Sequence, residues 1–274
     1  MEPRLQRRVQ RYGWDLAAAR YESLWSAQLA PAQAEVMACA GLRPGEHVLD
    51  VACGTGNAAI EAAARVSPGG RVVGVDLSGR MVDAASERAH REHCLNARFE
   101  RMDAERLELP EGSFDAALCV LGLMYVPHPE RALAEMSRVL RSRGRVVLAV
   151  WGERRRCGWA ELFPIVDAEV ASEVCPLFFR LGQGHALAEL CAAAGLEVTR
   201  ESRITTTLSY HDADEACDAA FVGGPVALAW SRLDAAAHTR VRSRYLESIA
   251  TWRRNGCFRI PGEFVIVSAS PRFS

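Results

Sequence analysis

Between residues 45 and 152, short β-rich segments alternate with helical stretches, and this alternation constrains the fold more than any other feature. The β-rich segments are HVLDVAC (47–53), RVVGVD (71–76), ARFERMD (97–103), FDAALCVLG (114–122) and GRVVLAVWG (144–152). Most of them are apolar on both faces, as are the strands of a parallel sheet that is covered by helices on both sides. The pattern therefore predicts a doubly wound α/β fold built from right-handed crossovers.

The helices are predicted from apolar residues that recur at turn-like intervals. Those between the strands are expected at Asn57–Val66, Ser78–His93, a short acidic piece around Ala104–Leu109, and Glu130–Leu140. Before the sheet, residues 3–40 have a helical pattern that Pro31 interrupts, which predicts two or three helices.

The alternation of β-rich and helical segments is less regular after Trp151. We expect helical material around Trp159–Val174, a helix His185–Ala194 closed by Gly195, a strand at 196–208, one long helix Asp234–Arg254 and a last strand FVIVSAS at 264–270. The chain is accordingly divided into an N-terminal helical segment (1–44), an α/β core (45–152) and a C-terminal insert with the last two strands of the same sheet (153–274).

The basic residues exclude several enzyme classes. All 33 are arginine, so the chain has no ε-amine for a Schiff base, a pyridoxal phosphate anchor or a Walker P-loop. The formal net charge of −1 argues against a dominant nucleic-acid role, because phosphate binding needs a concentrated positive field. The nine cysteines are scattered singly, without a CxxC pair or a zinc-like cluster, which favours a reducing cytoplasm and no metal site.

A glycine-rich turn follows the first predicted strand, in VLDVACGTGNAA. Gly54, Gly56 and Ala59 match the pattern G-x-G-x-x-G/A, in which the backbone approaches a ligand and a helix N-terminus points N–H groups at it. Taken alone, the match also fits a dinucleotide dehydrogenase or an ordinary tight turn.

Three aspartates accompany this turn. Asp50 is ionisable within an otherwise apolar strand, where a buried carboxylate is costly without a partner. Asp76 ends the second strand about 20 residues after Gly54, the usual place for a carboxylate that accepts hydrogen bonds from ribose hydroxyls. Asp103 ends the third strand. Because the carboxyl ends of parallel strands share one edge of the sheet, we expect all three beside one ligand site.

Four motifs follow one another in a recognisable order: VLDVACGTG, VVGVDLSGRM, RMDAERLELPEGSFDAAL and RALAEMSRVLRSRGRVVLAVWG. Through them the sequence resembles class I S-adenosylmethionine-dependent methyltransferases, and it is similar to the ubiquinone/menaquinone-biosynthesis subgroup. The resemblance implies a Rossmann-like sheet of seven strands, the last antiparallel, a lid in the N-terminal helices, and S-adenosylmethionine as the cofactor that leaves as S-adenosylhomocysteine.

The resemblance also implies roles for individual residues. The cofactor contacts would be Asp50, Ala52, Gly54 and Gly56 at the methionine end, Asp76 at the ribose, Asp103 and Ala104 at the adenine edge, Leu77 and Met81 on the adenine ring, and Cys119 to Leu121 after the fourth strand. Trp25 is expected to lie over the cofactor site. Cys119 is interpreted as a buried small apolar residue, since it lacks the preceding proline of cytosine-5 enzymes.

Two positions depart from the family. The family often has glycine where this chain has Ala52, a change that a backbone with negative φ tolerates. His128, in VPHPE, stands where the family commonly has aspartate. Both a catalytic histidine and an N-cap or loop residue between two prolines are open interpretations of it.

Methyl transfer is an in-line displacement that mainly needs the acceptor held at the methyl carbon and water excluded, so a base is optional. The candidate bases are His128, His185, Tyr125 and Tyr21, each of which also fits a packing or exposed role. An apolar or aromatic acceptor would suit a pocket lined by Tyr12, Trp14, Tyr21, Trp25, Met124, Tyr125, Trp159 and Phe178.

The sequence thus favours methyl transfer to a small molecule and leaves two alternatives. An NAD-dependent oxidoreductase is disfavoured by Asp50 and by the pair Asp103 and Ala104, and a non-catalytic cofactor-binding partner protein stays open. No nucleic-acid partner is expected. The N-terminus lacks the apolar run of a secretory signal, no stretch approaches a membrane span, and a cytoplasmic location is expected.

Overall fold

The computed structural model describes residues 2–170 and 178–272, with one mixed sheet at the centre. The strands are β1 (His47–Val51), β2 (Arg71–Asp76), β3 (Ala97–Arg101), β4 (Phe114–Val120), β5 (Leu140–Trp151), β6 (Leu196–Tyr210), β7 (Arg253–Arg254) and β8 (Cys257–Pro271). Their order is β3-β2-β1-β4-β5-β8-β6, and β7 pairs with β8. Strands β1 to β5 pair in parallel, whereas β8 is antiparallel to β5 and to β6. The predicted doubly wound fold with an antiparallel last strand is confirmed, and the short β7 is an additional strand.

Helices cover the sheet on both sides. The described α-helices are α1 (Pro3–Ala40), α2 (Asn57–Val66), α3 (Gly79–Arg91), α4 (Pro129–Val139), α5 (Leu162–Asp167), α6 (Ala186–Ala193), α7 (Ala213–Phe221), α8 (Ala227–Trp230) and α9 (Ala235–Ile249). Helices α2, α3 and α4 connect parallel strands, and α1 packs against α3, α8, β4 and β5. None of the described helices is both long and apolar enough to cross a membrane.

The sequence accounts for several element boundaries. Strand β1 is buried along nearly its whole length, as a central parallel strand between two helical layers must be. Helix α3 begins after Ser78, whose Oγ accepts a hydrogen bond from the N–H of Met81 at 3.1 Å. Asp212 caps α7 and Asp234 caps α9 in the same way.

The N-terminal segment differs from the prediction of two or three helices. It is one helix, α1, with Pro31 inside it. A proline within a helix removes one hydrogen bond and costs about 3 kcal/mol. Immediately after it, Ala32, Val36 and Met37 are fully buried against the rest of the protein. This apolar burial outweighs the local preference, so the helix continues.

The helix predicted around Ala104–Leu109 is absent. Residues 104–105 form a turn and Arg106 pairs with Asp103 in an isolated bridge, while the N–H of Leu107 donates to the side chain of Glu135 instead of to a helical carbonyl. The long helix predicted to end at Arg254 ends at Ile249; a 3₁₀ helix follows at Ala250–Trp252, and Arg253–Arg254 pair with β8 as β7. Of the helical material expected at 159–174, α5 is present, and residues 171–174 lie outside the described residues.

Candidate active site

A cavity opens beneath α1 at the carboxyl ends of the parallel strands. Two sets of lining residues differ in their chemistry, and each is named here as one half of the cavity. The carboxylate half consists of Gly54, Asp76, Leu77, Met81, Asp103 and Ala104, and the aromatic half consists of Trp25, Met124, Trp151, Trp159 and Phe178. The first set follows β1, β2 and β3, and most of the second follows β4 and β5. Because the chain order reverses between β1 and β4, the cavity lies at the topological switch point, where open α/β sheets bind ligands.

Helix α1 covers this cavity with one of its faces. The lining residues from α1 are Arg7, Gln10, Trp14, Tyr21, Trp25 and Leu29. They are three, four or seven positions apart, so they share one side of the helix. Arg7 and Gln10 were not predicted from the sequence, although their spacing from Trp14 could have indicated them.

The turn after β1 brings backbone atoms to the cavity. Gly54 and Gly56 have φ angles of 54° and 82°, in the left-handed region that favours glycine. Gly54 lines the cavity, and its N–H donates to Asp76 Oδ2 at 2.9 Å. Gly56 is not among the lining residues. A Cβ there would lie 3.1 Å from Ala85 and from Phe99, so Gly56 lets the turn pack closely against α3 and β3.

Ala52 does not have the negative φ that would make alanine easily tolerated in place of glycine. Its φ is 57°, a conformation that costs an L-residue roughly 1–2 kcal/mol. Leu121, just after β4, has a φ of 61°. Both residues line the cavity. Strained backbone therefore occurs at the ends of two neighbouring strands that border the candidate site.

Asp76 joins two backbone segments at the end of β2. Its Oδ2 accepts the Gly54 N–H, and its Oδ1 accepts the Ser78 N–H at 2.8 Å. Burial raises the pKa of the Asp76 carboxyl to about 6, and these two N–H donors oppose the rise. At neutral pH the carboxylate form predominates and presents acceptor oxygens to the cavity.

Asp103 is tied to helix α1. Its Oδ2 lies 2.9 Å from Nε of Arg7, and its Oδ1 accepts the N–H of Glu105. Arg7 also forms an ion pair with Glu105. These contacts fasten the N-terminal part of α1 over the carboxylate half.

A smaller cavity of about 410 Å³ adjoins the first and shares Ala52 and Gly54 with it. Asp50 lines it, is 1% exposed, and has no hydrogen-bond partner among the described residues for either carboxylate oxygen. Burial, and then the charge of Asp76, raises the pKa of Asp50 to about 8. The buried hydroxyl of Thr55 also has no partner there. Since buried polar groups normally have partners, these two indicate that this end receives a polar ligand.

Apolar residues complete the carboxylate half. Those expected on an adenine ring or its edge, namely Leu77, Met81 and Ala104, all line the cavity. At the end of β4, Val120 and the following Leu121 line it, but Cys119 is buried and is not among the lining residues. Burial raises the pKa of the Cys119 thiol to about 12, so this residue packs as an unreactive apolar group.

The aromatic half is centred on Trp159. Its ring centroid lies 4.8 Å from that of Trp151, 5.5 Å from that of Phe178 and 6.3 Å from that of Trp25. Trp25, which was expected over the cofactor site, lines the cavity, and its ring contacts those of Trp151 and Trp159. Of the eight residues expected around an acceptor, seven line the cavity, and Tyr12 is instead 47% exposed.

The candidate bases occupy different positions. Tyr21 and Tyr125 line the cavity, and the ring of Trp14 contacts both at 5.6 and 5.2 Å between centroids. Burial, and then Asp76 and Asp50, raises the pKa of Tyr21 well above its ordinary value, so its phenol stays protonated. His128 is not among the lining residues.

His128 lies at the N-cap position of α4 without a side-chain capping bond, and its Nδ1 is 3.3 Å from Glu130. This placement corresponds to the non-catalytic interpretation of the VPHPE segment. His185, the other histidine considered, is exposed and lies 2.7 Å from a carboxylate oxygen of Glu201.

Comparison with known proteins matches the core of the chain to one family. Residues 48–144 match a family described as a methyltransferase domain. The chain is 45% identical over 102 residues to a demethylmenaquinone methyltransferase of Deinococcus radiodurans, covering 37% of this chain and 42% of that protein. It is 38% identical over 109 residues to the ubiquinone/menaquinone biosynthesis C-methyltransferase UbiE of Ectopseudomonas mendocina, covering 39% of this chain and 43% of that protein.

The matched segment spans less than half of the length of these curated relatives. Among solved structures, the fold is similar to that of a geranyl diphosphate C-methyltransferase from Streptomyces coelicolor, with a TM-score of 0.54 and 17% identity. That likeness covers 89% of this chain and 79% of the other, and it concerns the fold alone. Residues 48–144 are therefore similar to a methyltransferase domain, and over this part the chain is similar to methyltransferases of ubiquinone and menaquinone biosynthesis.

Proposed function

We propose that this chain transfers a methyl group from S-adenosylmethionine to a small apolar or aromatic molecule. The observation that carries the proposal is a single cavity that joins the family's cofactor motif to a set of aromatic side chains. The carboxylate half offers charged and backbone groups for the cofactor. The aromatic half offers the apolar surface that small-molecule sites use to bind most of a ligand.

The residues at the carboxylate end fit this cofactor. Asp50, whose carboxylate has no partner among the described residues, suits the ammonium group of the methionine end, with Thr55 beside it. A cation there would bring the raised pKa of Asp50 down again and keep it ionised. Asp76 presents acceptor oxygens to the ribose hydroxyls, and Leu77 and Met81 present apolar surface to the adenine. The remaining proposed contacts are Ala52, Gly54, Asp103, Ala104 and Leu121.

The chain's part in the reaction is to position the acceptor and to exclude water. Bound S-adenosylmethionine supplies an electrophilic methyl group on a positively charged sulfur. Holding the acceptor in line with that group supplies much of the rate, because the reacting atoms no longer have to meet in solution. Helix α1 covers the cavity, and its Trp14 and Tyr21 reduce access of water.

The ionisable groups of the cavity favour some acceptors over others. The lining side chains that can ionise are Arg7, Tyr21, Asp76, Asp103 and Tyr125. Asp76 is held by two N–H donors, Asp103 is paired with Arg7, and Tyr21 resists ionisation. We therefore expect an acceptor that is nucleophilic without help from these two carboxylates or from Tyr21: a carbanion-like carbon, a thiolate or an amine. An unactivated hydroxyl would need a base of pKa near 7.

A transfer assay tests this proposal. Purified protein and methyl-labelled S-adenosylmethionine would be incubated with aromatic thiols, aromatic amines, 1,3-dicarbonyl carbon acids and aromatic alcohols of similar size. Label is expected in one or more of the first three groups and not in the alcohols. Binding of S-adenosylhomocysteine without transfer to any acceptor would contradict enzymatic methylation and favour a non-catalytic cofactor-binding protein.

We also propose that the protein works in the cytoplasm. Every cysteine within residues 2–170 and 178–272 is a free thiol. Free thiols are the usual state in a reducing compartment.

A further inference from the structure

We propose that the indole N–H of Trp159 binds an oxygen atom of the acceptor, so that the aromatic half selects apolar molecules carrying a hydrogen-bond-accepting oxygen. The inference rests on the proposed function, because it assigns the aromatic half to the acceptor. It narrows the acceptor to a class: conjugated or aromatic compounds with a carbonyl, enolate or phenolate oxygen.

The first observation is an unpartnered donor within an apolar surface. Trp159 is 3% exposed, and its Nε1 has no hydrogen-bond partner among the described residues. A buried donor without a partner costs roughly 1–3 kcal/mol, and buried indole N–H groups usually have one. Trp159 also lines the cavity. A ligand oxygen in the aromatic half would remove that cost.

The second observation is that Trp159 is held in place. The N–H of Gly158 donates to the carbonyl of Pro261 at 2.9 Å, which fixes the backbone before Trp159 to β8. A Cβ at Gly158 would lie 2.6 Å from Trp252, so the chain passes closely over that ring. The carbonyl of Trp159 accepts the N–H of Leu162. Because its own ring packs against those of Trp151 and Phe178, the side chain has little freedom to turn toward another partner.

Trp25 provides a contrast within the same cavity. It is also buried and aromatic, but its Nε1 donates to the carbonyl of Ala219 at 3.2 Å. Of these two indole N–H groups, the protein uses that of Trp25 for its own structure, whereas that of Trp159 has no protein partner among the described residues. Of the remaining members of the aromatic half, Met124 and Phe178 have no side-chain donor, and the indole nitrogen of Trp151 is not among the buried atoms that lack a partner.

The site should discriminate between ligands with and without an oxygen atom, because a buried donor without a partner is unfavourable. An oxygen-free ligand of the same shape would bury the Trp159 N–H permanently, whereas an oxygen-bearing one would satisfy it. Sites built to hydrogen-bond a ligand group reject analogues that lack it. A net gain of about 1.4 kcal/mol for one such bond corresponds to a roughly tenfold preference.

The test compares two probes of nearly equal shape, 2-acetylnaphthalene and 2-ethylnaphthalene, in the presence of saturating S-adenosylhomocysteine. The 6 tryptophans provide indole N–H signals in a ¹⁵N-labelled sample, and the Trp159→Phe variant identifies the one that belongs to Trp159. We expect the ketone to bind about tenfold more tightly and to shift the Trp159 signal downfield. The hydrocarbon should bind without that shift.

Two variants give matched comparisons. Trp159→Phe should bring the two probe affinities to within about twofold of each other, because the donor is gone while an aromatic ring stays. Trp25→Phe should keep the preference for the ketone but lower the stability of the protein, because the N–H of Trp25 donates to the carbonyl of Ala219. Equal affinities in the unaltered protein, or a ketone preference that survives Trp159→Phe, would overturn the inference.

Titration of the same protein variants with S-adenosylhomocysteine distinguishes a failure of the role of Trp159 from a failure of the proposed function. If S-adenosylhomocysteine binds and the ketone is not preferred, the role of Trp159 is wrong and the methyltransferase proposal stands. If S-adenosylhomocysteine does not bind, the proposed function fails, and the inference that rests on it fails too.

Discussion

The carboxylate half and the aromatic half of the cavity are built by different means. In the carboxylate half, backbone N–H groups of Gly54 and Ser78 hold Asp76, and the positions are fixed by strand ends and tight turns. In the aromatic half, Trp151 and Trp159 hold each other through ring packing. The first half depends on backbone geometry, which a short motif specifies. The second depends on side-chain volume, which many sequences can provide. Substitutions should therefore affect cofactor affinity in one half and stability in the other.

The largest effect is expected from Trp151→Ala. The ring is buried, with centroids 4.8 Å from Trp159 and 4.4 Å from Phe264, so its removal leaves a void in the aromatic half. We expect the free energy of unfolding, measured by urea denaturation, to fall by about 3–5 kcal/mol. Leu95→Ala is the control, since Leu95 is 94% exposed and its loss should change little. A similar small change for both variants would contradict the view that packing builds this half.

A second prediction concerns Asp50→Asn and pH. Folding raises the pKa of Asp50 from 3.8 to about 8, so stability present at low pH is lost as the pH rises between these values. The asparagine side chain of the variant does not titrate. Without cofactor, the free energy of unfolding of the variant at pH 8 should exceed that of the wild type by on the order of 3 kcal/mol.

Urea denaturation at pH 4 and at pH 8 checks this prediction, with the exposed Asp83→Asn as the control. The advantage of Asp50→Asn should disappear at the lower pH, where both side chains are neutral. The same variant should bind S-adenosylmethionine more weakly. An equal advantage at both pH values would show that the charge of Asp50 is not its cause.

Asp76→Ala should have an intermediate effect, confined to the carboxylate half. Loss of charged hydrogen bonds to the cofactor should weaken S-adenosylhomocysteine binding by about 1–3 kcal/mol, measured by calorimetry. Asp83→Ala, on the exposed side of α3, should leave affinity unchanged. Unchanged affinity in Asp76→Ala would remove Asp76 from the proposed cofactor site.

The smallest effect is expected from Ala52→Gly. Glycine adopts the φ of 57° at this position without steric cost, and it loses more entropy on folding. The net result should be a gain of about 0.5–1 kcal/mol in unfolding free energy. Ala64→Gly, at an exposed position within α2, should instead cost about 1 kcal/mol. A loss of stability in both variants would show that Ala52 is not strained.

The same contrast explains what could be predicted from the sequence. Asp76 and Gly54 are recognisable because the turn and the ribose carboxylate need particular residue types at particular spacings. The alternation of apolar strands and helices likewise indicated the sheet. These features are local in the chain, so a pattern can reveal them.

The remaining features depend on distant partners. That Arg7 would pair with Asp103 required knowing how α1 crosses the sheet. That the ring of Trp25 would pack with Trp151 and Trp159 could not be predicted either, because these two residues lie far along the chain. The continuity of α1 through Pro31 also depended on tertiary burial, which outweighs local preference.

The most direct test of the account is a calorimetric titration of the purified protein with S-adenosylmethionine, S-adenosylhomocysteine and NADH, side by side. We expect micromolar binding of the first two at one site, weakened by Asp76→Ala, and no binding of NADH. Binding of NADH in preference, or of none of the three, would contradict the assignment of the carboxylate half to this cofactor.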